Sequence, residues 1–368
     1  MKTPDKSKWR RIYEDLLAAI KDGGYSTGKL PSETQLAKKY CCGRLTVQTA
    51  FDKLESEGLI VRRAGSGTQL TRKARNACGR LGLIMPSLSF GEIFPLIAQS
   101  LTREAAKDGF QFVLGDISSA KPEDRAHEAC KVARQFIEQG VAGVIFQPLA
   151  FLKSPDRVTR EILRLFAEAE IPTLLIDRDV DMRDVPVRHD FVAIDNLSAG
   201  RALGDHLLST GAKRIAFLMR PDCASVIRDR LDGVASALSR RGRELTVIDA
   251  EPTDVAALSE WFRKKQTRPD AVICESDQVA ALFANTLRKF KLRIPEDVRL
   301  AGFDDVTYAK MMMPPLTTAH QPCEDLAVQA YRTLRERMHT PDLPSRRILL
   351  PASLVLREST GSVRTRDL

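Results

Sequence analysis

The first 60 residues carry the hydrophobic pattern of three short helices. Apolar residues recur at helical spacing over residues 7–22, and a glycine-rich segment ends that helix. Ser32 and Gln35 have the spacing of a capping box, which predicts a second helix through about residue 40. A third helix is expected over residues 44–57, where an apolar face begins at Val47 and continues for two turns. The chain therefore begins with a small helical unit.

A short β-hairpin is predicted directly after these helices. Residues 59–63 have the composition of a strand, residues 64–68 form a glycine-rich turn, and residues 69–70 begin the return strand. Three helices followed by a hairpin make a winged helix-turn-helix, whose recognition helix enters the major groove of DNA. We therefore expect a DNA-binding domain over residues 1–71.

The start of the third helix carries side chains that can read base edges. Arg44 can pair with guanine and Gln48 with adenine, while Thr46 can contact phosphate or a thymine methyl group. The alternative for Gln48 is an ordinary exposed position on the helix. The hairpin offers basic side chains for phosphates and glycines that let the backbone approach DNA closely, namely Arg62, Arg63, Gly65 and Gly67.

After residue 80 the pattern changes to short apolar strands that alternate with amphipathic helices. Regular alternation of this kind predicts parallel sheets with helices on both faces. Because about 290 residues remain, two such sheets are expected rather than one. The fold class is therefore α/β, with a winged helix-turn-helix head and a two-lobed, Rossmann-like body. The strands are predicted at residues 81–85, 111–115, 142–146, 173–177, 191–194, 214–218, 244–248, 271–274 and 298–302.

Polar side chains follow several of the predicted strands. Asp177 and Arg178 come after one strand, Ser276 after another and Asp304 after a third. Because α/β sheets bind ligands at the carboxyl ends of their strands, we expect these side chains to meet in one cleft. Carboxylates accept hydrogen bonds from vicinal hydroxyls and arginine donates as a planar fork, so the set suits a polyhydroxylated ligand. The alternative for a single aspartate or serine in this position is a helix cap.

The charge of the chain is concentrated near its start. Residues 1–75 contain 16 lysines and arginines against 8 acidic residues, whereas the rest contains 41 against 40, and the chain as a whole carries +9. A basic segment beside a neutral body favours a polyanionic partner, because basic side chains displace the counterions of phosphates. The alternative is a solvated basic surface.

Other chemistry is weakly supported by the sequence. No segment approaches the roughly 20 apolar residues that cross a bilayer, and no signal peptide is visible, so we expect a cytoplasmic protein without a membrane partner. The seven cysteines lack metal-ligand spacing, and the pair Cys41–Cys42 is either a redox sensor or small apolar filler. Because no hydrolase triad order, HExxH, P-loop or GxGxxG occurs, we expect neither an enzyme nor a cofactor.

Three segments of the head resemble the GntR-type DNA-binding domain. They are residues 29–33 (KLPSE), residues 43–60 (GRLTVQTAFDKLESEGLI) and the hairpin turn at residues 65–68 (GSGT). The resemblance implies that Ser32 and Glu33 also lie at the DNA. Members of that family often have serine or threonine where this chain has Gly43, and many have arginine in place of Gln48. The DNA sequence that this chain recognises therefore cannot be inferred from the operators of that family.

From about residue 80 onward, the chain resembles the LacI/GalR-type effector domain, which is periplasmic-binding-protein-like (type I). The motifs include LLIDRD (174–179), RDRLDG (228–233), PDAVICESDQVA (269–280) and IPEDVRLAGFDD (294–305), in the order that the family has them. The resemblance implies two lobes joined by three crossovers, a ligand in the cleft and dimerisation through the body. The expected lobes are about 80–193 plus 304–320 and about 194–303 plus 321–368, after a linker at residues 72–79.

The resemblance also assigns roles in the cleft. Arg230 matches the ligand-binding arginine of the family and Asp304 its cleft aspartate. Relatives often have asparagine in place of Ser276. The alternative for each residue is ordinary packing within a lobe. The expected effector contacts are Asp177, Arg178, Arg230, Ser276, Asp304 and an aromatic residue against the sugar face, Phe90 or Phe94.

These observations predict a dimeric repressor with the architecture of arabinose-repressor-like proteins. We expect its head to bind double-stranded operator DNA, and its affinity for that DNA to change when a small sugar occupies the cleft. One alternative is the same architecture sensing a sugar phosphate, a nucleobase or another metabolite, or acting as an activator. A small-molecule enzyme or carrier with an incidental basic segment is the alternative from another class.

Overall fold

The computed structural model describes residues 6–21, 25, 28–63, 67–71, 74, 79–85, 92–115, 117, 122–149, 155–180, 189–221 and 223–361. The first of its three units, called the head, is a small helical bundle with a two-stranded hairpin. Its elements are α1 (Lys6–Lys21), α2 (Glu33–Lys39), α3 (Arg44–Ser56), β1 (Ile60–Arg63) and β2 (Gly67–Leu70).

The head is organised by an apolar core between α1 and α3. Leu16 of α1 and Phe51 of α3 are both almost fully buried there. The capping box at the start of α2 forms as predicted, because Ser32 accepts from the backbone N–H of Gln35 while the Gln35 side chain accepts from that of Ser32. Strands β1 and β2 pair antiparallel. The predicted winged helix-turn-helix is confirmed.

The core of the head extends into the segment that was predicted to be a linker. Ala74 is fully buried in the apolar cluster of the head, and its backbone N–H donates to the Thr71 hydroxyl at 3.4 Å. A linker over residues 72–79 is therefore wrong at Ala74, whose small side chain fills the head core.

The first lobe of the body is a parallel six-stranded sheet with helices on both faces. Its strands lie in the order β13-β7-β6-β5-β3-β4, and every neighbouring pair is parallel. Apolar side chains of the two faces form two separate clusters under the helices. Its elements are β3 (Arg80–Ile84), α4 (Ile93–Lys107), β4 (Gln111–Gly115), α5 (Pro122–Glu138), β5 (Val144–Phe146), α6 (Pro155–Glu168), β6 (Thr173–Ile176), β7 (Asp190–Ile194), α12 (Cys323–His339) and β13 (Arg347–Leu350).

The second lobe repeats this plan. Its strands lie in the order β14-β12-β11-β10-β8-β9, and only β14 runs antiparallel to its neighbour. Its elements are α7 (Asn196–Ser209), β8 (Ile215–Met219), α8 (Ser225–Ser239), β9 (Thr246–Asp249), α9 (Val255–Phe262), β10 (Ala271–Cys274), α10 (Asp277–Lys289), β11 (Arg299–Asp304), α11 (Thr307–Met311), β12 (Thr317–His320), β14 (Ser353–Val355) and a 3-10 turn (Glu358–Thr360).

All nine predicted strands of the body are confirmed. The expected bounds of the lobes are wrong between residue 304 and about residue 350, whereas β14 lies in the second lobe as expected. Residues 304–320 belong to the second lobe, because β12 pairs with β11. Helix α12 and strand β13 return to the first lobe, where Leu334 joins the apolar core and β13 pairs with β7. The chain thus crosses between the lobes near Asp195, near Gln321 and near Ala352.

Candidate functional site

The carboxyl ends of the strands from both lobes meet at a cleft with a cavity of about 160 Å³. Every effector residue that was predicted within the described part of the chain borders this cavity, whereas Phe90 lies outside the described residues. The first lobe contributes Phe94, Asp177 and Arg178, and the second contributes Arg230, Ser276 and Asp304.

Arg230 is the most thoroughly held side chain of the cleft. It is 4% exposed, and its Nε donates to Asn196 Oδ1 at 2.8 Å. Its Nη1 donates to the Glu275 carbonyl at 2.7 Å, and its Nη2 lies 3.3 Å from Asp304 Oδ1. The guanidinium carbon also lies 4.5 Å from the centre of the Phe303 ring, a cation–π arrangement. These contacts use three of the five N–H groups of arginine and fix the plane of the fork.

A close crossing of two helices determines where Arg230 lies. A Cβ atom on Gly200 of α7 would come within 2.0 Å of the Arg230 carbonyl oxygen on α8, and a Cβ on Gly233 within 2.1 Å of the Leu197 carbonyl oxygen. No side chain fits at either position without moving a backbone. Gly200 and Gly233 therefore allow the close helix crossing that places Arg230 at the cleft.

Two aspartates of the cleft have unfavourable backbone conformations. Asp177 has φ 69° and Asp304 has φ 111°, both in the region that non-glycine residues rarely adopt. Asp177 directly follows the buried strand β6, and Asp304 is the last residue of the buried strand β11. Strain of this kind persists only where surrounding contacts hold it, and it clusters at functional sites.

Asp304 has Arg230 as its ion-pair partner and a second carboxylate, that of Asp277, nearby. Asp277, at the start of α10, accepts from the Thr318 hydroxyl at 2.7 Å and from the Val306 backbone N–H at 3.1 Å. It therefore holds the segment that follows Asp304. Burial raises the pKa of Asp304, and Arg230 only partly opposes this. Burial and the nearby Asp304 carboxylate raise the pKa of Asp277 as well.

On the first-lobe side, Arg178 and Asp177 form a buried pair. Arg178 Nε lies 3.4 Å from Asp177 Oδ2, which is within ion-pair range, yet this atom has no hydrogen-bond partner. Its Nη1 donates to the Pro148 carbonyl at 3.2 Å. The other Asp177 contact is Gln147 Nε2, at 3.1 Å. An arginine N–H that is buried without a partner is exceptional in folded proteins, and this one belongs to a residue that lines the cavity.

The pair Glu275–Arg220 was missed in the sequence. Glu275 is 1% exposed and accepts from Arg220 Nε at 2.6 Å and from the Arg220 backbone N–H at 2.9 Å. Both residues line the cavity. The signal was present, because Glu275 directly precedes Ser276 at the same strand end.

Ser276 and Phe94 have additional structural roles. The Ser276 hydroxyl caps α10 by accepting from the Val279 backbone N–H at 3.3 Å. A helix cap was the alternative to an effector contact for this residue. Phe94 is 7% exposed and packs in the apolar core of the first lobe. Both still border the cavity.

One hydrogen bond links the two lobes at the edge of the cleft. Glu92 Oε2, just before α4 of the first lobe, accepts from the Thr307 backbone N–H of the second lobe at 2.5 Å. The neighbouring Val306 packs against the first-lobe core. Since Glu92 also lines the cavity, this contact joins the ligand space to α11.

In the head, α3 presents only part of the predicted set. Arg44 and Gln48 are exposed, and the Arg44 guanidinium lies 3.8 Å from the Glu33 carboxylate. Thr46 is 7% exposed, so its side chain offers little surface to DNA. It is buried because it lies four residues before Ala50 and eight before Leu54, on the inward face of the helix.

Arg62 is held within the head. Its Nε donates to Glu55 Oε2 at 2.9 Å, its backbone N–H to Glu55 Oε1 at 3.1 Å, and its Nη2 to Asp52. These contacts raise the pKa of Arg62 and lower that of Glu55. The expectation that Arg62 reaches a phosphate is therefore not supported, because two carboxylates of α3 hold its guanidinium. It fastens the hairpin to the recognition helix.

Three further predicted head residues lie at the surface. Arg63 and Gly67 are exposed at the end of the hairpin. Gly67 has φ 79°, and a Cβ atom at this position would meet no other atom within 4 Å. Ser32 is exposed with its hydroxyl engaged in the capping box. Gly65 lies outside the described residues.

None of the helices within the described residues is long and apolar enough to cross a membrane.

Comparisons with known proteins agree with this architecture. Residues 8–70 match the model of bacterial regulatory proteins of the gntR family, and residues 204–360 match that of a periplasmic binding protein-like domain. The arabinose metabolism transcriptional repressor of Geobacillus stearothermophilus is 25% identical, over 99% of this chain and 100% of its own length. The ribose operon repressor of Halalkalibacterium halodurans is 27% identical, over 77% of this chain and 80% of its own length.

A solved structure shows the same fold. The complex of the transcriptional regulator CelR with cellobiose superimposes with a TM-score of 0.65 at 24% identity, covering 90% of this chain and 100% of that one. The matched families and the two relatives are regulators and binding proteins rather than enzymes. The head of the chain is therefore similar to gntR-family regulatory proteins, and the body to a periplasmic binding protein-like domain.

Proposed function

We propose that the protein is a dimeric transcription repressor that binds operator DNA through its head and responds to a neutral sugar in the cleft. The observation that carries the proposal is the cavity between the lobes, where charged side chains from both sheets converge. Relatives named as arabinose and ribose repressors point to the same class of effector.

The pairing of charges in the cleft favours a neutral ligand over a phosphorylated one. Arg178 lies beside Asp177, Arg220 beside Glu275 and Arg230 beside Asp304. A phosphate needs basic groups whose charge is not already compensated. Vicinal hydroxyls instead use carboxylate acceptors and guanidinium donors together. We therefore propose a small aldose or a related polyol, with Phe94 or Phe90 against its apolar face.

The proposed DNA surface comprises the exposed start of α3 and the hairpin. Arg44 and Gln48 face outward on α3, and Arg63 and Gly67 are exposed on the hairpin. The excess of 8 positive charges over residues 1–75 supports phosphate binding around this surface. Because its proposed target is bacterial operator DNA, we place the protein in the cytoplasm.

A second copy of the chain is proposed to cover an apolar surface of the second lobe. Met311 is 77% and Met313 91% exposed, and Tyr308 and Leu282 beside them are 40% exposed. These four residues border one open groove between α10 and α11. Clustered exposed apolar side chains are typical of interfaces between proteins. The Glu92–Thr307 hydrogen bond lies at the other end of α11, so changes in the cleft can reach this surface.

The effector class is tested by thermal unfolding of the full chain with a panel of compounds. The panel contains arabinose, ribose, xylose, glucose, galactose and cellobiose, each beside its phosphate ester where one exists. A ligand at 100 times its Kd stabilises the folded state by about 2.7 kcal/mol, or a shift of about 5 °C. We expect a neutral sugar to produce this shift. A response to phosphate esters alone would contradict the charge-pairing argument.

The binding site is tested with Arg230→Ala and Arg230→Lys. Removing the fork deletes two or more charge-assisted hydrogen bonds, so we expect Arg230→Ala to weaken the sugar by about 100-fold in calorimetry. Arg230→Lys keeps the charge beside Asp304 but not the planar geometry, and it should lose most of the same affinity. Arg240→Ala, which removes an exposed arginine at the end of the same helix, is the matched control and should bind normally.

A further inference from the structure

Leu45 stands out on the recognition helix because of its position. The other apolar side chains of α3, such as Val47 and Phe51, are fully buried, whereas Leu45 is 71% exposed. A single exposed leucine is common on protein surfaces and by itself carries no meaning. Leu45, however, lies in the first turn of the helix that is proposed to enter the major groove.

The residues around Leu45 narrow what this turn can offer to DNA. The side chains of Thr46 and Val47 are buried in the head. The Thr49 hydroxyl donates to the Leu45 carbonyl at 2.9 Å, so this hydroxyl is already bonded to the backbone of the helix. The exposed side chains of the first turn and a half are Arg44, Leu45 and Gln48. Two hydrogen-bonding side chains therefore flank one apolar side chain.

The chemistry of the major groove gives such an apolar side chain one matching group. Guanine, cytosine and adenine present hydrogen-bond donors and acceptors there, whereas thymine also presents its C5 methyl group. A leucine against a bare donor or acceptor would remove water from it and return no hydrogen bond. Against a thymine methyl, it buries apolar surface on both sides.

We infer that Leu45 is a specificity-determining residue that reads a thymine through its C5 methyl group, next to the bases that Arg44 and Gln48 contact. The inference rests on the proposed DNA binding by the head. The basic charge around Leu45 supports duplex DNA as the occupant of this surface, since residues 1–75 carry an excess of 8 positive charges. Leucine has no donor, so it contributes nothing to phosphate binding.

The experiment replaces thymine by deoxyuridine, which lacks only the methyl group. The operator is first selected from random duplex DNA with the full chain. Each thymine of the selected site is then changed singly to deoxyuridine, and binding is measured by fluorescence anisotropy. For wild-type protein we expect one position per half-site where the change weakens binding about fourfold, the value of one buried methyl group.

The same DNA set is measured with Leu45→Ala, after circular dichroism has shown that it folds. This variant should bind the thymine and deoxyuridine operators equally at that position, because the methyl group has lost its partner. Leu349→Ala, which removes an exposed leucine of the body, is the matched control and should keep the fourfold difference. Gln48→Ala should also keep it.

Failure of this inference differs from failure of the proposed function. If selection yields no preferred sequence, DNA recognition by the head is wrong. If a specific operator emerges but no deoxyuridine substitution weakens wild-type binding, Leu45 does not read thymine. Methyl sensitivity that persists in Leu45→Ala overturns the inference as well, because another side chain then contacts the methyl group.

Discussion

The head and the cleft use arginine in opposite ways. On the head, the Arg44 side chain is 69% exposed, and its ion pair with Glu33 is long, at 3.8 Å. Arg44 also lies in residues 1–75, which contain twice as many basic as acidic residues. In the cleft, the Arg230 side chain is 5% exposed and lies against Asp304. Exposed, uncompensated positive charge suits a polyanion such as DNA, whose phosphates are repeated along the strand. A buried, compensated fork suits a neutral ligand that is recognised through directed hydrogen bonds.

The largest difference between the two sites should appear with salt. Operator binding that makes 6–10 phosphate contacts loses about 10³-fold or more in affinity between 50 and 200 mM salt. Sugar binding in the cleft should change less than about twofold over the same range, because no net charge is neutralised. Anisotropy and calorimetry on the same preparation measure both. A sugar affinity that falls in parallel with the operator affinity would show that the ligand is anionic.

The second prediction concerns the helix crossing that places Arg230. Gly200→Ala puts a methyl group against the Arg230 carbonyl, so α7 and α8 must separate. We expect the body to lose about 3 kcal/mol of stability or more. The sugar affinity of the full chain should fall at least tenfold. Its affinity for DNA should change little, because the head has its own apolar core. Calorimetric unfolding and ligand titration test this.

Two other glycines provide graded controls for that prediction. Gly204→Ala meets the Ala237 methyl group at 2.8 Å, so its effect should be smaller. Gly43→Ala, at the start of α3, meets nothing within 4 Å and should leave the unfolding of the body unchanged. Equal effects at Gly200 and Gly204 would mean that the backbone contact is not decisive.

The third prediction separates the two neighbouring arginines of the hairpin. Arg62 is bound to Glu55 and Asp52, so Arg62→Ala should destabilise the head by about 1–2 kcal/mol. Arg63 is exposed, so Arg63→Ala should instead reduce the salt dependence of operator binding by about one unit of slope with unchanged stability. If Arg62→Ala lowers the slope and leaves the melting temperature of the head unchanged, Arg62 contacts phosphate after all.

The smallest predicted effect is a pH dependence of sugar binding. Burial raises the pKa of Asp304 above its usual value, and only the ionised carboxylate is a pure acceptor for hydroxyls. Sugar affinity should therefore rise, by a few-fold, as the pH increases through that raised pKa. Titrations between pH 5 and pH 8 measure it, and Asp304→Asn should bind weakly without this dependence. An affinity that increases toward acidic pH would have the wrong sign.

Much of the fold and of the cleft could be predicted because their signals are local. Alternating apolar and amphipathic segments predicted the nine strands, and polar residues at strand ends pointed to Asp177 and Asp304. Arg230 lies within helix α8 and was assigned only through the family motifs. Strands β12 to β14 were missed. They are short and partly polar, as the segment 317–320 (TTAH) shows, and the assignment of the lobes failed with them.

The remaining misses depend on contacts between distant segments. The sequence does not show that Asp52 and Glu55 of α3 hold Arg62, since this requires the hairpin to fold back on the helix. Nor does it show that Gly200 and Gly233 face each other across two helices. The burial of Thr46 is different. Its spacing from Ala50 and Leu54 placed it on the inward face, so a helical projection of α3 would have revealed it.

The most direct test of the account is operator binding with and without the effector, for wild type and Arg230→Ala. We expect the sugar identified by thermal unfolding to change the operator Kd of the wild-type protein by about 5- to 150-fold, a coupling of 1–3 kcal/mol. Arg230→Ala should bind the operator with the wild-type Kd and show almost no change at ten times the wild-type sugar Kd, a concentration that fills roughly a tenth of a site weakened 100-fold. A wild-type operator affinity that is the same with saturating sugar, or a full response in Arg230→Ala, would contradict it.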